Sequence, residues 1–288
     1  MYDPAMDLSI EHRRISVGPR TLGYLAAGSR RLSEQLLVFL HAFPLDAAMW
    51  TPQVRALPEG WAAVAPDFRG FGASDADEPR FQRADARLED YAEDIRALLD
   101  TVGAARAALC GCSMGGYAAF AVLRRFPERV SGLLLADTRA TADSEAARAS
   151  RAAMLELLDR DGPSAVAAEM RSKLVGTTSR DTRPDVLAAV DRMMAQATAR
   201  GVGCAISRML NRPDSTASLA AFKSPVTVVV GEEDTLTPPP EAASMAALVP
   251  GAALVTIPRA GHLSNLEAPD DFNAAMRTWL DAVAAEQS

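Results

Sequence analysis

The sequence predicts an α/β chain: a mostly parallel central sheet, helices on both faces, and a helical cap inserted before the last strands. Three observations predict it. Short apolar, β-branched runs alternate with segments of helical period, the pattern of strands joined by crossover helices. That alternation stops over 138–221, where helical stretches follow one another without a strand, and resumes at Val226. Finally, at Gly111-Cys112-Ser113-Met114-Gly115 a serine stands where an apolar run turns directly into a small-residue helix.

From the N-terminal side, Ile10 to Val17 alternates polar and apolar residues and reads as an edge strand carrying His12. The stretch 10–40 reads as an antiparallel hairpin followed by the first central strand, Leu36-Leu37-Val38-Phe39-Leu40, with His41 at its end. Trp61-Ala62-Ala63-Val64-Ala65 is the next strand. Leu88, Tyr91, Ala92, Ile95, Leu98, Leu99 and Val102 recur at helical spacing and mark an amphipathic helix lying on the sheet. Ala107-Ala108-Leu109-Cys110 is the strand before the serine, Gly116 to Leu123 the helix after it, and Leu133-Leu134-Leu135-Ala136 a further strand. Within the cap, helices are expected over 144–159, 163–174, 184–197 and 202–210, with Gly or Pro near the breaks. Met154, Met170, Met193, Met194 and Met209 fall there and read as core filler. Pro225-Val226-Thr227-Val228-Val229-Val230 is the β-branched run of a strand buried on both faces, and Ala253-Leu254-Val255-Thr256-Ile257 is the last strand. The organisation is therefore a core built from 1–137 and 222–288 with a cap over 138–221, and a frayed tail over 281–288.

The strand–turn–helix setting of Ser113 is that of a nucleophile elbow. Glycine two residues to either side leaves two positions without a Cβ, so the turn can be tight and the serine exposed at its apex. A serine hydroxyl needs an adjacent base, itself oriented by a third group. The chain has three histidines, His12, His41 and His262. His262 lies in the loop that follows the last strand, where the histidine of a Ser–acid–His order belongs, and is the expected base. The acid should follow another strand. Asp234, in Gly231-Glu232-Glu233-Asp234, is the first choice and Asp137, just after the Leu133–Ala136 run, the alternative. Backbone donors for an oxyanion are expected at the N–H of Met114 and of Phe43, since Pro44 has none. Cys112 adjoins Ser113, but neighbours on a sharp turn point different ways, and it reads as a small buried hydrophobe.

Taken in order, His41-Ala42-Phe43-Pro44-Leu45-Asp46, Asp67-Phe68-Arg69-Gly70-Phe71-Gly72-Ala73-Ser74, the Ser113 turn, the Asp234 loop and Gly261-His262 resemble the α/β-hydrolase superfamily over nearly the whole chain. Around Phe43, Ser113 and His262 the wording is most similar to the esterase and 3-oxoadipate enol-lactonase group. The resemblance implies a serine hydrolase that cleaves a carboxylic ester or lactone of a small, largely apolar molecule through an acyl-enzyme, with no cofactor. Enol-lactone hydrolysis is the narrower alternative. Acyl transfer and C–C hydrolysis use the same triad, and a silent binding protein on this scaffold is the rival of a different class. The serine argues against the haloalkane dehalogenases and epoxide hydrolases of the superfamily, which carry aspartate at that position. The chain departs from the group at Ala42, where such proteins commonly carry glycine. Asp67 and Arg69 read as structural, with Arg69 lining the site as the alternative.

With 288 residues, 49% of them hydrophobic, the chain suits one large α/β domain with an insertion. A net charge of −7 and the lack of a Lys/Arg run argue against a nucleic-acid partner. The start carries Asp3 and Asp7 without a charged-then-apolar leader pattern, and no apolar stretch approaches the roughly 20 residues that span a bilayer. The expectation is a cytoplasmic protein acting on a small molecule, with no membrane partner. Three cysteines without C-x-x-C spacing predict neither a disulfide nor a metal site.

Overall fold

The computed structural model describes residues 9–28, 35–79 and 81–287; Asp3, Asp7 and Ser288 lie outside the described residues. Among the described residues eight strands form one sheet: β1 (Glu11–Val17), β2 (Arg20–Gly28), β3 (Leu36–Leu40), β4 (Ala62–Pro66), β5 (Ala107–Cys112), β6 (Val130–Ala136), β7 (Val226–Gly231) and β8 (Ala253–Ile257). Their spatial order is β1-β2-β4-β3-β5-β6-β7-β8. The β1–β2 and β2–β4 pairings are antiparallel and the rest parallel. Every residue of β3 through β7 is buried, which is why those segments are near-continuous apolar runs. β8, on the outer edge, is mostly exposed.

The described helices are α1 (Thr51–Arg55), α2 (Glu89–Val102), α3 (Met114–Arg125), α4 (Glu145–Asp161), α5 (Pro163–Leu174), α6 (Thr177–Thr182), α7 (Pro184–Met194), α8 (Ala199–Leu210), α9 (Thr216–Ala221), α10 (Pro239–Ala246), α11 (Ser264–Glu267) and α12 (Pro269–Gln287). α2 buries Tyr91, Ala92, Ile95, Leu98 and Leu99, the stripe read from the sequence. α4 to α9 lie between β6 and β7, in place of the strands found elsewhere. Among the described residues, no helix is long and apolar enough to cross a membrane.

Several boundaries differ from expectation for local reasons. β5 runs two residues past its apolar stretch because Gly111 and Cys112 still pair with Leu135 and Ala136 of β6. α8 begins at Ala199, since the Thr198 hydroxyl accepts the Gly201 N–H at 3.0 Å and caps the helix there. The same cap separates α8 from α7, which ends at Met194. The six-residue helices α6 and α9 are too short for a period to register in the sequence. α12 continues to Gln287, so the expected fraying of the tail is not seen in its backbone.

Sheet order places the site. β3 lies between β4 and β5, so the direction of sheet growth reverses at β3, and a crevice opens beyond the carboxyl ends of β3 and β5. The residues that leave those two ends are His41–Phe43 and Ser113.

A buried ion network ties α8 to the core. Arg208 donates to both Asp77 carboxylate oxygens at 2.9 Å and to Asp90 Oδ2 at 2.8 Å, with its guanidinium 4.6 Å from the centre of the Tyr91 ring. Arg69 completes the network through Asp77 Oδ1 at 2.9 Å and Asp94 Oδ2 at 2.6 Å. Arg69 is thereby committed to structure, and Asp67 holds the Ala47 and Ala73 N–H groups at 2.7 and 2.8 Å.

Candidate active site

Ser113 occupies the turn between β5 and α3 with φ 53° and ψ −113°, a left-handed backbone that a residue with a Cβ adopts at a cost. Its N–H donates to Ala136 O at 2.9 Å and its carbonyl accepts the Thr138 hydroxyl at 2.8 Å, which hold the turn in that state. The flanking glycines serve clearance. Neither has a positive φ, but a Cβ on Gly111 would meet the Gly115 carbonyl at 2.5 Å, and one on Gly115 would lie 2.0 Å from Leu40 O. The strained position is the serine itself.

The structure brings three of the singled-out side chains into a line. Ser113 Oγ lies 2.8 Å from His262 Nε2, and His262 Nδ1 lies 2.8 Å from Asp234 Oδ2. His262 and Asp234 are buried, Ser113 half-buried. Asp234 Oδ1 accepts the N–H groups of Leu236 and Thr237 at 2.8 and 3.0 Å, and Oδ2 accepts the Thr237 hydroxyl at 2.5 Å. Burial by itself would raise the Asp234 carboxyl; the facing His262 and these donors outweigh it and hold it below the usual carboxylate value. Burial likewise disfavours charge on His262, but the Asp234 carboxylate and its hydrogen bond hold the imidazole above its ordinary 6.5.

The other candidates have separate employment. Asp137, with φ 47°, accepts the Gly231 N–H at 2.8 Å on Oδ1 and the Ser264 hydroxyl at 2.5 Å on Oδ2. Burial, then repulsion from Asp234, pushes its carboxyl up. Glu232 accepts the Arg259 N–H at 3.1 Å, and Glu233 accepts the Thr178 N–H at 2.8 Å. His12 is exposed on β1. His41 is fully buried; its Nδ1–H donates to Ala42 O and its Nε2 accepts the Phe68 N–H, both at 2.9 Å, and burial pulls its pKa down to about 4. Cys112 is fully buried, with burial raising its thiol.

The N–H of Phe43 and of Met114, the first residue of α3, both lack a protein acceptor among the described residues. Ala42 has negative φ, so its Cβ is tolerated where a glycine was expected. Above Ser113 lies a cavity of about 190 Å³. Its lining is less apolar than expected: beside Phe43, Tyr117 and Leu236 it includes Arg139, Asp143, Ser150, Arg151 and Lys173. Met170, Met193, Met194 and Met209 are buried in the core, as expected, and Met154 packs against it; Met154, Met170 and Met209 in addition line the cavity. Two contributors carry little sequence signal. Thr237 betrays itself only as a hydroxyl three residues after Asp234, within reach of a local Asx-type turn. Glu267 accepts the N–H of Leu263, four residues before it, and of Gly176, 91 residues away, and the second contact has no local signature.

Residues 35–269 match the sequence model of the family described as the alpha/beta hydrolase fold. The 3-oxoadipate enol-lactonase 2 of Acinetobacter baylyi is 25% identical, over 85% of this chain and 88% of the relative. Among solved structures, a thermophilic esterase from Thermogutta terrifontis is 35% identical with a TM-score of 0.86, covering 95% of this chain and 99% of its own. The enol-lactonase from Burkholderia xenovorans LB400 is 26% identical with a TM-score of 0.83, covering 93% and 100%.

Proposed function

The chain belongs to the α/β-hydrolase fold family, and from that membership we propose that it is a serine hydrolase cleaving a carboxylic ester or lactone of a small molecule through an acyl-enzyme on Ser113. One observation carries the reading: the unbroken hydrogen-bond line Ser113–His262–Asp234 opening on a cavity. Ser113 Oγ attacks the carbonyl carbon while its proton passes to His262 Nε2. The tetrahedral oxyanion takes hydrogen bonds from the Phe43 and Met114 N–H groups. The C–O bond to the leaving group then breaks, and the departing alcohol or enol receives the proton from Nε2. Water repeats the cycle on the acyl-enzyme, its proton going to Nε2, and the acid leaves as Ser113 is restored. Asp234 stays ionised throughout and stabilises the imidazolium. No step calls for a cofactor. We read 138–221 as a cap that excludes water from this cycle and shapes the acyl pocket, between the two core segments 1–137 and 222–288.

Enol-lactone hydrolysis is the second reading, favoured by likeness to enol-lactonases over most of both chains. A fluorophosphonate probe tests the common premise: labelling abolished by Ser113→Ala, but not by substitution of a surface serine, supports it. An unlabelled wild-type protein would favour a binding protein on this scaffold. Turnover of p-nitrophenyl esters, acetate through octanoate, beside an enol-lactone and simple lactones then separates the two readings.

A further inference from the structure

Resting on the reading of Ser113 as the acylated serine, we propose that the substrate carries a carboxylate on its acyl part, remote from the scissile carbonyl, and that Arg151 recognises it. α4 turns Ala147, Ser150, Arg151 and Met154 toward the cavity, at spacings of i, i+3, i+4 and i+7. An acyl pocket for a hydrocarbon would have apolar residues along such a face; here a hydroxyl and a guanidinium sit in its middle. Across the whole lining the cations are Arg139, Arg151 and Lys173, and the sole carboxylate among the described lining residues is Asp143.

Asp143 does not neutralise Arg151, because two arginines share it. Its Oδ2 accepts Arg151 Nε at 2.5 Å and its Oδ1 accepts Arg212 Nη2 at 2.7 Å. Arg212 is buried behind it, stacked 4.2 Å from the centre of the Tyr117 ring. One carboxylate between two guanidiniums leaves an excess of positive charge beside the cavity, offset in part by Asp214, an exposed carboxylate that also acts on Arg212. The Asp143 bond also fixes how Arg151 is presented. Its Nε edge is taken, its Nη1 faces only the Met209 sulfur at 3.3 Å, a weak acceptor, and its Nη2 has no acceptor among the described residues. The Nη1–Nη2 edge therefore remains for a bidentate carboxylate. Lys173 adds to the field, since its partner Glu169 is 52% exposed and water weakens that pairing; Arg139 is held by Glu241 at 2.9 Å and by the Leu236 carbonyl.

The test compares p-nitrophenyl valerate with mono-p-nitrophenyl glutarate, acyl chains of equal length in which a terminal methyl is replaced by a carboxylate. Rates are taken after subtraction of the Ser113→Ala background. The wild-type protein should favour the glutarate ester in kcat/KM by ~10-fold or more, the scale of one charge-assisted hydrogen-bond pair. Arg151→Met should abolish that preference, lowering kcat/KM for the glutarate ester ~10-fold more than for the valerate ester, and Arg151→Lys should retain part of it. Equal rates in the wild type overturn the proposal. So does a uniform loss on both esters in Arg151→Met, which is what a strut between α4 and the Asp143 loop would give. A readout without turnover is protection of Ser113 from the fluorophosphonate by glutarate, expected in the wild type and absent in Arg151→Met. Labelled but unprotected protein defeats this inference alone; protein that does not label at all defeats the serine-hydrolase reading instead.

Discussion

Gly176 of the cap and Gly261, the residue before His262, touch backbone to backbone: a Cβ on Gly261 would lie 2.2 Å from the Gly176 nitrogen and 2.6 Å from its Cα. Gly176 has φ −61°, so clearance and not a left-handed conformation requires the glycine. One buried carboxylate rivets the two segments, with Glu267 Oε2 accepting the Gly176 N–H at 2.9 Å and Oε1 accepting the Leu263 N–H at 3.1 Å. The loop that holds the imidazole is thus positioned partly by the cap.

Gly261→Ala should force these backbones apart, costing about 1–3 kcal/mol of stability, as overpacked sites do. Because the displaced loop carries His262, kcat should fall by more than the loss of folded protein explains. Thermal unfolding read beside kcat on the same preparation checks this, and unchanged turnover would mean that the His262 loop is indifferent to the cap.

Asp234→Asn should reduce kcat by roughly 10⁴-fold, since an amide favours the wrong imidazole tautomer and cannot stabilise the imidazolium. Asp137→Asn should leave kcat within ~10-fold but lower stability by about 1–3 kcal/mol, because it disturbs buried bonds to Gly231 and Ser264. Kinetics and denaturant midpoints on the two variants separate the roles. Reversal of the pattern would assign the acid to Asp137.

The pH profile follows from the sign of the His262 shift. The base must be neutral to accept the Ser113 proton, so kcat/KM should rise with pH through the folded-state pKa of His262. That value lies above the ordinary 6.5, as the Asp234 charge and hydrogen bond outweigh burial. The acid limb should therefore have its midpoint above pH 6.5, and in the residual activity of Asp234→Asn it should move to lower pH. His41, whose pKa burial pulls down to about 4, contributes no limb in that range.

Arg208→Met should cost about 3–5 kcal/mol, the penalty for stripping one partner from a buried ion pair. Asp77 would keep Arg69 as its arginine partner, and Asp90 would lose its contact with α8. Urea denaturation measures the loss, and a change below ~1 kcal/mol would show that α8 is held by its apolar face alone.

The amino-acid sequence by itself determined the succession of strands and helices, the insertion between β6 and β7, and the serine between Gly111 and Gly115, because each is written locally. Period, β-branching and turn residues act over a few neighbours, so the apolar runs of β3, β5, β6 and β7 and the stripe of α2 are legible without a fold. Which carboxylate meets the imidazole was decided only by tertiary structure. Asp137 and Asp234 each follow a buried parallel strand, β6 and β7 lie side by side, and no local pattern tells one from the other. The outcome depends on contacts between segments remote in the chain: Ser113 and His262 are 149 residues apart, and Asp137 is turned away by Ser264, 127 residues beyond it. The same holds for the cap. Helical period announces α4, but whether its Arg151 faces water or the cavity depends on Met209, 58 residues on, and on Arg212, which reaches Asp143 from 69 residues away, and packing across such distances leaves no periodic trace in the sequence.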